Sequence, residues 1–433
     1  MNIIKFALKK GADDVVVEKA DEIMKQIRFS NNLITVSKVW KTSVYKVFLT
    51  RNKRVVSTVI YDTRKKSIKN AIENLIKATK IIEPNKDYYG IAKGPFKYKK
   101  IPRLFDKKLL NVDCVDLVEA AINSALKYSK KTAGTFVLHF LKRNLETSSK
   151  ISASEKTTAV SLSIRAFNEK DESGHAVSCS RILSEFRPEK AGEKAGKIAK
   201  LAKKPKEGKK GKFDVIFDPL SIANLLSLVG QFSSIFYVES GLSFLRDKLN
   251  KKVGSEKVTL IDDGRIENGV NSTLFDEEGV PTMRKVIIDK GILKTYLHNT
   301  STAKKYNVET TGNAGLITPS PTNIILEKGK LKKEELFEKV KNGLYITNVW
   351  YTRFQNYVTG DFSTIPRDGI FLIRKGEIVR SLKNIRISDN LERILLNVID
   401  ISNKPEWIHW WEVQFPVLTP YVLVKNVNIS KPI

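Results

Sequence analysis

Histidine and cysteine are the side chains of this sequence best suited to holding a catalytic zinc ion, and they are few and scattered. The histidines are His139, His175, His298 and His409, and the cysteines are Cys114 and Cys179. A catalytic zinc site needs about three protein ligands, and two of them usually lie within one helical turn. No two histidines lie that close together. The sequence therefore predicts that this chain binds no zinc and no other cofactor.

Two of the histidines have surroundings that indicate a structural role. His298 follows the predicted strand 292–297 and precedes Asn299, a context typical of a hydrogen-bonded structural residue. His409 stands among three tryptophans, Trp407, Trp410 and Trp411. This predicts packing in a core or an interface, with binding of a stray metal as the open alternative.

The stretch 276–318 has the pattern of turns and strands. A turn over 276–279 leads into a predicted hairpin of 285–288 and 292–297, and one or two helical turns follow over 301–306. The sequence Thr-Gly-Asn-Ala-Gly at 311–315 then places two glycines where backbone must turn sharply or approach something closely.

This stretch, together with 359–400, resembles the C-terminal domain of the TldD/PmbA family. The second stretch contains a T-G-D-F-S start, a G-E-I hairpin turn and an N-L-E-R-I helix. The family consists of two-subunit, peptide-processing proteases that were once described as modulators of DNA gyrase. The resemblance covers most of the chain from about residue 213 onward. Before that residue, the order of the predicted elements agrees less closely with that of the family.

The resemblance also implies which kind of subunit this is. In the family's proteolytic subunit, a helix early in the C-terminal domain carries H-E-x-x-x-H, and a later cysteine completes the metal site. The corresponding stretch here, 218–237, has no histidine, and the C-terminal end reads Trp-Ile-His-Trp-Trp where a cysteine would be expected. The resemblance therefore implies the metal-free subunit of the PmbA or TldE type.

Such a subunit would pair with a zinc-bearing, TldD-like catalytic subunit in a heterodimer or larger complex that cleaves small or unfolded peptides. The glycine-bearing segments 311–315 and 359–363 are the candidates for backbone near the substrate cleft, because glycine permits close approach. The cleft candidates are Thr311, Gly312, Asn313, Ala314, Gly360 and Asp361. The alternative for both segments is a turn with positive φ.

Two other functions remain open: a stand-alone metallopeptidase with an unrecognised site, and a basic DNA- or topoisomerase-associated modulator.

The element pattern predicts an α+β fold with two domains. Residues 1–205 are predicted to form a mixed α/β domain with an antiparallel-rich sheet and two long helices, Thr63–Ile82 and Val115–Lys130. Short strands are predicted at 14–19, 23–29, 33–39, 44–49, 55–61, 136–141, 158–167 and 175–185. A basic connector at about 203–212 leads to a β-rich, barrel-like domain at 213–433. That domain begins with a helix over 219–229, capped by Asp218, and has short helices at 332–342 and 389–398.

The formal net charge of +29 is the feature that favours an anionic partner. Ten lysines lie between residues 190 and 212, on a predicted helix over 190–202 that turns Lys190, Lys194 and Lys197 mostly towards solvent, and on the connector. No zinc finger, helix-turn-helix or RNA-recognition pattern accompanies them. A solvated surface or a face for a charged partner is therefore favoured over nucleic-acid binding.

A membrane span is the alternative for residues 219–238, which carry no charge over twenty positions. Polar residues interrupt the stretch, and its apolar residues recur with helical period on one face, so a core helix of a soluble protein is predicted. Two cysteines and no visible export signal indicate a reduced, cytoplasmic setting.

Overall fold

The computed structural model describes residues 2–431. Their N-terminal part is one antiparallel sheet with the strand order β3-β2-β1-β4-β5-β6. The strands are β1 (Val15–Ser30), β2 (Leu33–Arg51), β3 (Arg54–Ile60), β4 (Lys131–Thr147), β5 (Ser152–Phe167) and β6 (Ser173–Ser180). The helices are α1 (Ile3–Lys9), α2 (Lys65–Ala78), α3 (Lys108–Asn111), α4 (Cys114–Leu126) and α5 (Pro188–Leu201), with a 3₁₀ turn at Leu183–Glu185. The predicted antiparallel sheet and its two helices, here α2 and α4, are confirmed.

The strands of this sheet are longer than the sequence pattern indicated. The stretches predicted as two strands at 14–19 and 23–29 are the single strand β1, and those at 33–39 and 44–49 are the single strand β2. The polar residues Asp21 and Glu22 broke the apolar alternation in the sequence. In the structure they pair across the ladder with Ser43 and Thr42, and Glu22 lies on the face of the sheet that lines a polar cavity.

One face of the sheet carries the hydrophobic core. Residues of α4 and α5 pack there against Phe136, Leu138 and Leu162, and α2 covers Val17 and Val47 further along. The opposite face points towards the C-terminal domain. Because side chains alternate along a strand, polar residues at every second position leave the core face intact.

The C-terminal part is rich in strands and contains a closed barrel. Its strands are β7 (Lys206–Glu207), β8 (Gly211–Phe217), β9 (Leu260–Asp263), β10 (Arg284–Asp289), β11 (Ile292–Leu293), β12 (Ile324–Leu326), β13 (Asn342–Asn356), β14 (Asp361–Arg374), β15 (Glu377–Lys383), β16 (Arg386–Asn390), β17 (Val398–Ile401), β18 (Glu406–Trp410), β19 (Val413–Thr419) and β20 (Val422–Ser430). Its helices are α6 (Pro219–Phe232), α7 (Ile235–Glu239), α8 (Thr300–Lys305), α9 (Lys333–Glu338) and α10 (Leu391–Leu396).

The barrel follows the order β13-β8-β20-β16-β14 and closes because β14 also pairs with β13. The barrel-like C-terminal fold is thus confirmed. A second sheet has the order β11-β10-β9-β12-β19-β18.

The helix α6 lies against both sheets and is buried on almost every side. Asp218 caps it by accepting a hydrogen bond from the Leu220 N–H. Between residues 2 and 431, no helix has the length and apolar character needed to cross a membrane.

The basic segment between the two parts is built into the C-terminal sheet. Residues 206–207 form β7, which pairs in parallel with Leu382 and Lys383 of β15, and β8 begins at Gly211. The expectation that Lys194 faces solvent is wrong: its Nζ lies 3.0 Å from Asp218 Oδ1 and 3.1 Å from Glu406 Oε2. The helix α5 lies between the N-terminal sheet and the barrel, so a face that is polar in sequence contacts the buried Asp218 and the partly exposed Glu406.

Candidate functional site

A polar cavity of about 440 Å³ lies between the N-terminal sheet and two loops of the C-terminal domain. The period-two alternation of four neighbouring strands supplies its wall. These wall residues are Glu18, Ala20 and Glu22 of β1, Val44 and Lys46 of β2, His139, Leu141 and Arg143 of β4, and Glu155 and Thr157 of β5. The loops at 271–277 and 312–322 form the opposite side. This cavity is the candidate functional site.

Arg143 is the centre of the wall. Its guanidinium lies 2.7 Å from Glu18 Oε2, 3.0 Å from Glu155 Oε1 and 4.8 Å from the Phe275 ring centre. Burial alone would raise the pKa of Glu18, but the positive charges of Arg143 and Lys46 hold that pKa below its usual value. Glu155 also accepts hydrogen bonds from the Thr273 hydroxyl and the Leu274 N–H, at 2.6 and 2.8 Å. The network therefore fixes the loop at 271–277 against the N-terminal sheet.

Four charged or polar side chains of the cavity remain about one third to one half exposed. Glu22 and His139 are paired across β1 and β4, and Lys46 Nζ lies 3.2 Å from Glu18 Oε1 and 4.0 Å from Glu277 Oε1. A ligand in the cavity can therefore reach both signs of charge. The two termini of a short peptide carry charges of both signs.

Part of the segment 311–315 lines this cavity. Gly312, Asn313 and Ala314 are at its surface, while Thr311 is buried and bonds the backbone of His298. The Asn313 amide donates to Asp262 Oδ2 at 2.6 Å and to the Ser320 carbonyl at 3.0 Å. Its side-chain oxygen has no hydrogen-bond partner among the described residues. This oxygen is an acceptor that the fold leaves unused.

A buried carboxyl pair lies behind that segment. Asp276 accepts backbone hydrogen bonds from Ala314, Glu278 and Val280, each at 2.9 Å, and Glu278 accepts one from Thr300 at 3.3 Å. Burial raises the pKa of Asp276 to about 7, although the three N–H donors favour its ionised form. Burial and the neighbouring Asp276 carboxylate raise the pKa of Glu278 to about 8. The pair thus holds a proton at neutral pH, and the geometry favours Glu278 as its carrier.

The second predicted cleft segment lies elsewhere. Gly360, with φ of +83°, packs against Phe244, and Asp361 bonds to Thr359 and Asn390. The hydrogen bonds from Asn390 and Thr359 lower the pKa of Asp361. These residues do not line the cavity that contains Gly312, so the two segments are not brought together.

The histidines are dispersed in the structure. Burial lowers the pKa of His298 and of His409 to about 4 in each case. The Nδ1 atom of His298 lies 3.3 Å from the Thr302 hydroxyl. His175 is also buried and contacts Ser163 and Asn348 at 2.8 and 2.7 Å. His139 is the histidine on the cavity wall, and the sequence analysis assigned it no role; only the register of β1 against β4 brings it to Glu22.

A metal ion does not fit the residues present. Within residues 2–431, no three side chains of histidine, cysteine, aspartate or glutamate are placed to hold one. The Glu22–His139 pair of the cavity would supply two ligands at most. Cys179 is buried, and its thiol lies 3.4 Å from the Trp407 carbonyl.

Comparison with known proteins identifies the family. A family model described as the PmbA/TldA metallopeptidase C-terminal domain matches residues 210–431, just over half of the chain. The chain belongs to the PmbA/TldD family. The resemblance found in the sequence is thereby confirmed.

The relatives of this PmbA/TldD family member include proteins named metalloproteases. One from Methanocaldococcus jannaschii is 38% identical over 197 residues, which cover 43% of this chain and 42% of that protein. The chain spans at most half of the length of the first metalloproteases that it matches. A protein of the same organism described as uncharacterized is 29% identical over 376 residues, covering 84% of this chain and 83% of that protein.

The fold extends over the whole chain in a solved structure. TldE from Thermococcus kodakarensis superposes with a TM-score of 0.88, covering 99% of both chains at 21% identity. At this level of identity, the superposition establishes a shared fold.

Proposed function

We propose that this chain is a non-catalytic subunit of the PmbA/TldE type, which pairs with a zinc-bearing, TldD-like subunit to cleave small or unfolded peptides. The observation that carries the proposal is the polar face of α6. By the resemblance, this is the helix on which the proteolytic subunit carries its metal-binding motif. Here the polar side chains of that helix are engaged in holding the domain together.

Two side chains of α6 show this use. The Ser221 hydroxyl donates to the Ile346 carbonyl of β13 at 2.8 Å. The Asn224 amide donates to the Glu412 carbonyl at 2.8 Å and accepts from the Thr352 hydroxyl at 2.6 Å. Buried polar groups with satisfied hydrogen bonds are typical of a structural helix. A water-activating metal site instead needs ligands with an open coordination position.

The cavity beneath the N-terminal sheet is the part of this chain that we assign to the peptide. Lys46 and Glu277 offer charges to the ends or side chains of a peptide. Such contacts orient an extended substrate without reading much of its sequence. In this proposal the zinc and the attacking water belong to the partner.

Zinc content tests the non-catalytic assignment. The isolated chain, dialysed and analysed for metals, is expected to hold far less than one zinc per chain, because residues 2–431 place no group of ligands for it. A complex with a chain that contains H-E-x-x-x-H should hold zinc in proportion to that partner. Roughly one zinc per isolated chain, lost in His298→Ala or His409→Ala, would overturn the assignment.

Substitutions at the cavity test the role in peptide binding. Lys46→Gln and Glu277→Gln are expected to reduce peptide cleavage by the reconstituted pair about tenfold together, since each exposed contact contributes up to about 1 kcal/mol. The zinc content of the partner should not change. Glu277→Gln alone should leave the melting temperature unchanged, whereas Lys46→Gln also removes a partner of the buried Glu18. Lys65→Gln, on the distant helix α2, is the matched control. Full cleavage by the folded double variant would remove the cavity from the proposal.

Gly312 is a poorer probe of the same cavity. Its φ is +62°, and a Cβ atom there would lie 2.7 Å from the Pro281 carbonyl oxygen. A side chain at this position is strained by the backbone alone, so Gly312→Val combines loss of the fold with loss of function. Gly312 thus has the positive φ that the alternative to a cleft role required.

A further inference from the structure

A second cavity, of about 610 Å³, opens at one end of the barrel. It lies at the start of β8 and β13, and its lining shares no residue with the cavity described above. The segment 206–213, the ends of β13 and β14, and the β15 hairpin surround it. Barrel mouths of this size are common places for small ligands in proteins.

The inside of this barrel mouth is apolar. Its side chains are Phe213, Leu344, Leu372, Val379, Leu382 and Ile385. Leu344 and Leu372 face each other in the β13–β14 ladder, where the backbone groups are already paired, and Leu344 also pairs with Val215 of β8. A peptide in this space would leave its amide groups without partners, which is costly in an apolar environment. An aliphatic chain carries no such groups.

The rim of the barrel mouth is strongly positive. Lys206, Lys209, Lys210, Arg374 and Arg380 line it, and all are exposed. None of these five forms an ion pair with another residue in the described part of the chain. The single acidic residue of the lining, Glu207, accepts a hydrogen bond from Asn384 at 2.8 Å. The rim therefore has a surplus of positive charge next to an apolar interior.

The backbone holds the basic segment in this position. The Gly208 N–H donates to the Lys383 carbonyl at 2.9 Å, next to the β7–β15 pairing. A Cβ atom at Gly208 would lie 2.1 Å from a methyl group of Ile385, so only glycine lets the segment pass this close to the barrel wall. The lysines at 206, 209 and 210 are thus placed around the opening.

We propose that the barrel mouth binds a straight-chain carboxylate of the fatty-acid class. The hydrocarbon chain lies among the apolar side chains, and the carboxylate lies against the basic rim. This site is independent of the peptide cavity and of the proposed subunit role. It also gives a function to part of the lysine-rich stretch, which the subunit role does not use.

Titration calorimetry on the full chain tests this site with saturated fatty acids of increasing length, each below its critical micelle concentration. Affinity should rise about fourfold per added CH₂ until the cavity is filled. The alcohol of the same length should bind roughly tenfold more weakly, and binding of the acid should weaken in high salt. If the hydrocarbon is merely adsorbed on exposed apolar surface, the acid and the alcohol should bind equally well, and salt should not weaken binding of the acid.

Two variants locate the site. Val379→Asp adds a negative charge at a half-exposed lining position and should weaken binding at least tenfold without changing the melting temperature. Arg374→Gln combined with Arg380→Gln should weaken binding of the acid and remove most of its advantage over the alcohol. Lys65→Gln combined with Lys66→Gln on α2 makes the same change in net charge and should have no effect.

Three results would overturn the proposal. The first is no saturable binding at any chain length. The second is binding that is equal in Val379→Asp and in the unchanged protein. The third is tighter binding of a short peptide with an apolar C-terminus than of the fatty acid, which would assign the barrel mouth to peptides.

Discussion

Replacing Arg143 by leucine is expected to lower the free energy of unfolding by about 3–5 kcal/mol, because two buried carboxylates lose the arginine that they share. Glu18 and Glu155 are 4% and 6% exposed, so both carboxylates stay largely withdrawn from solvent. Denaturant unfolding followed by circular dichroism measures the change. The substitution also removes the contact with Phe275, so the loop at 271–277 should become more susceptible to proteolysis.

A matched exposed arginine provides the control for Arg143. Arg64 forms an ion pair with Asp62, but its side chain is 85% exposed, so Arg64→Leu should leave the free energy of unfolding nearly unchanged. Adding Glu18→Gln to Arg143→Leu should recover part of the loss, since one uncompensated charge is removed. Equal effects of the two arginine substitutions would mean that the network contributes little to stability.

The pH dependence of stability should change in Glu278→Gln. The folded-state pKa of Glu278 is raised to about 8 from the ordinary value of 4.5. The unfolded chain therefore releases this proton first, and the stabilisation is complete below about pH 4.5 and is lost as the pH rises through about 8. The loss amounts to about 3–4 kcal/mol, because one pKa unit corresponds to about 1.4 kcal/mol and the proton is shared with Asp276.

Glutamine cannot ionise, so Glu278→Gln should match the unchanged protein near pH 4.5 and be more stable at pH 8.5. Thermal or denaturant unfolding across this pH range measures the difference. Glu277→Gln is the control, because the Glu277 side chain is 41% exposed and its charge is solvated in the folded protein. Parallel stability curves for the unchanged protein and Glu278→Gln would show that the buried pair does not retain a proton.

Features that depend on local sequence were predicted well. The apolar spacing of α2 and α4 located both helices, and Asp218 followed by Pro219 marked the first turn of α6. Each signal arises within a few residues of the element that it predicts. The family resemblance added the barrel-like domain, which no local pattern shows.

Features that depend on strand register could not be predicted. His139 and Glu22 are 117 positions apart and meet only because β1 and β4 pair in one register. Asp276 was expected in a turn with Glu277, Glu278 and Gly279, and the pattern did not indicate that it is 6% exposed and accepts a hydrogen bond from the Ala314 N–H. The depth of a turn below the surface is set by what folds over it, here residues from both domains.

The closure of the barrel has a consequence for how the protein is made. The strands β8 and β20 are adjacent in the barrel but about 200 residues apart in the chain, since Val215 pairs with Val424. A ribosome must therefore release almost the entire chain before the barrel can close, whereas the hairpins of the N-terminal sheet can form early. During that interval the apolar faces of β8 and α6 lack their final neighbours, and molecular chaperones would have their greatest effect on the yield of folded protein at this stage.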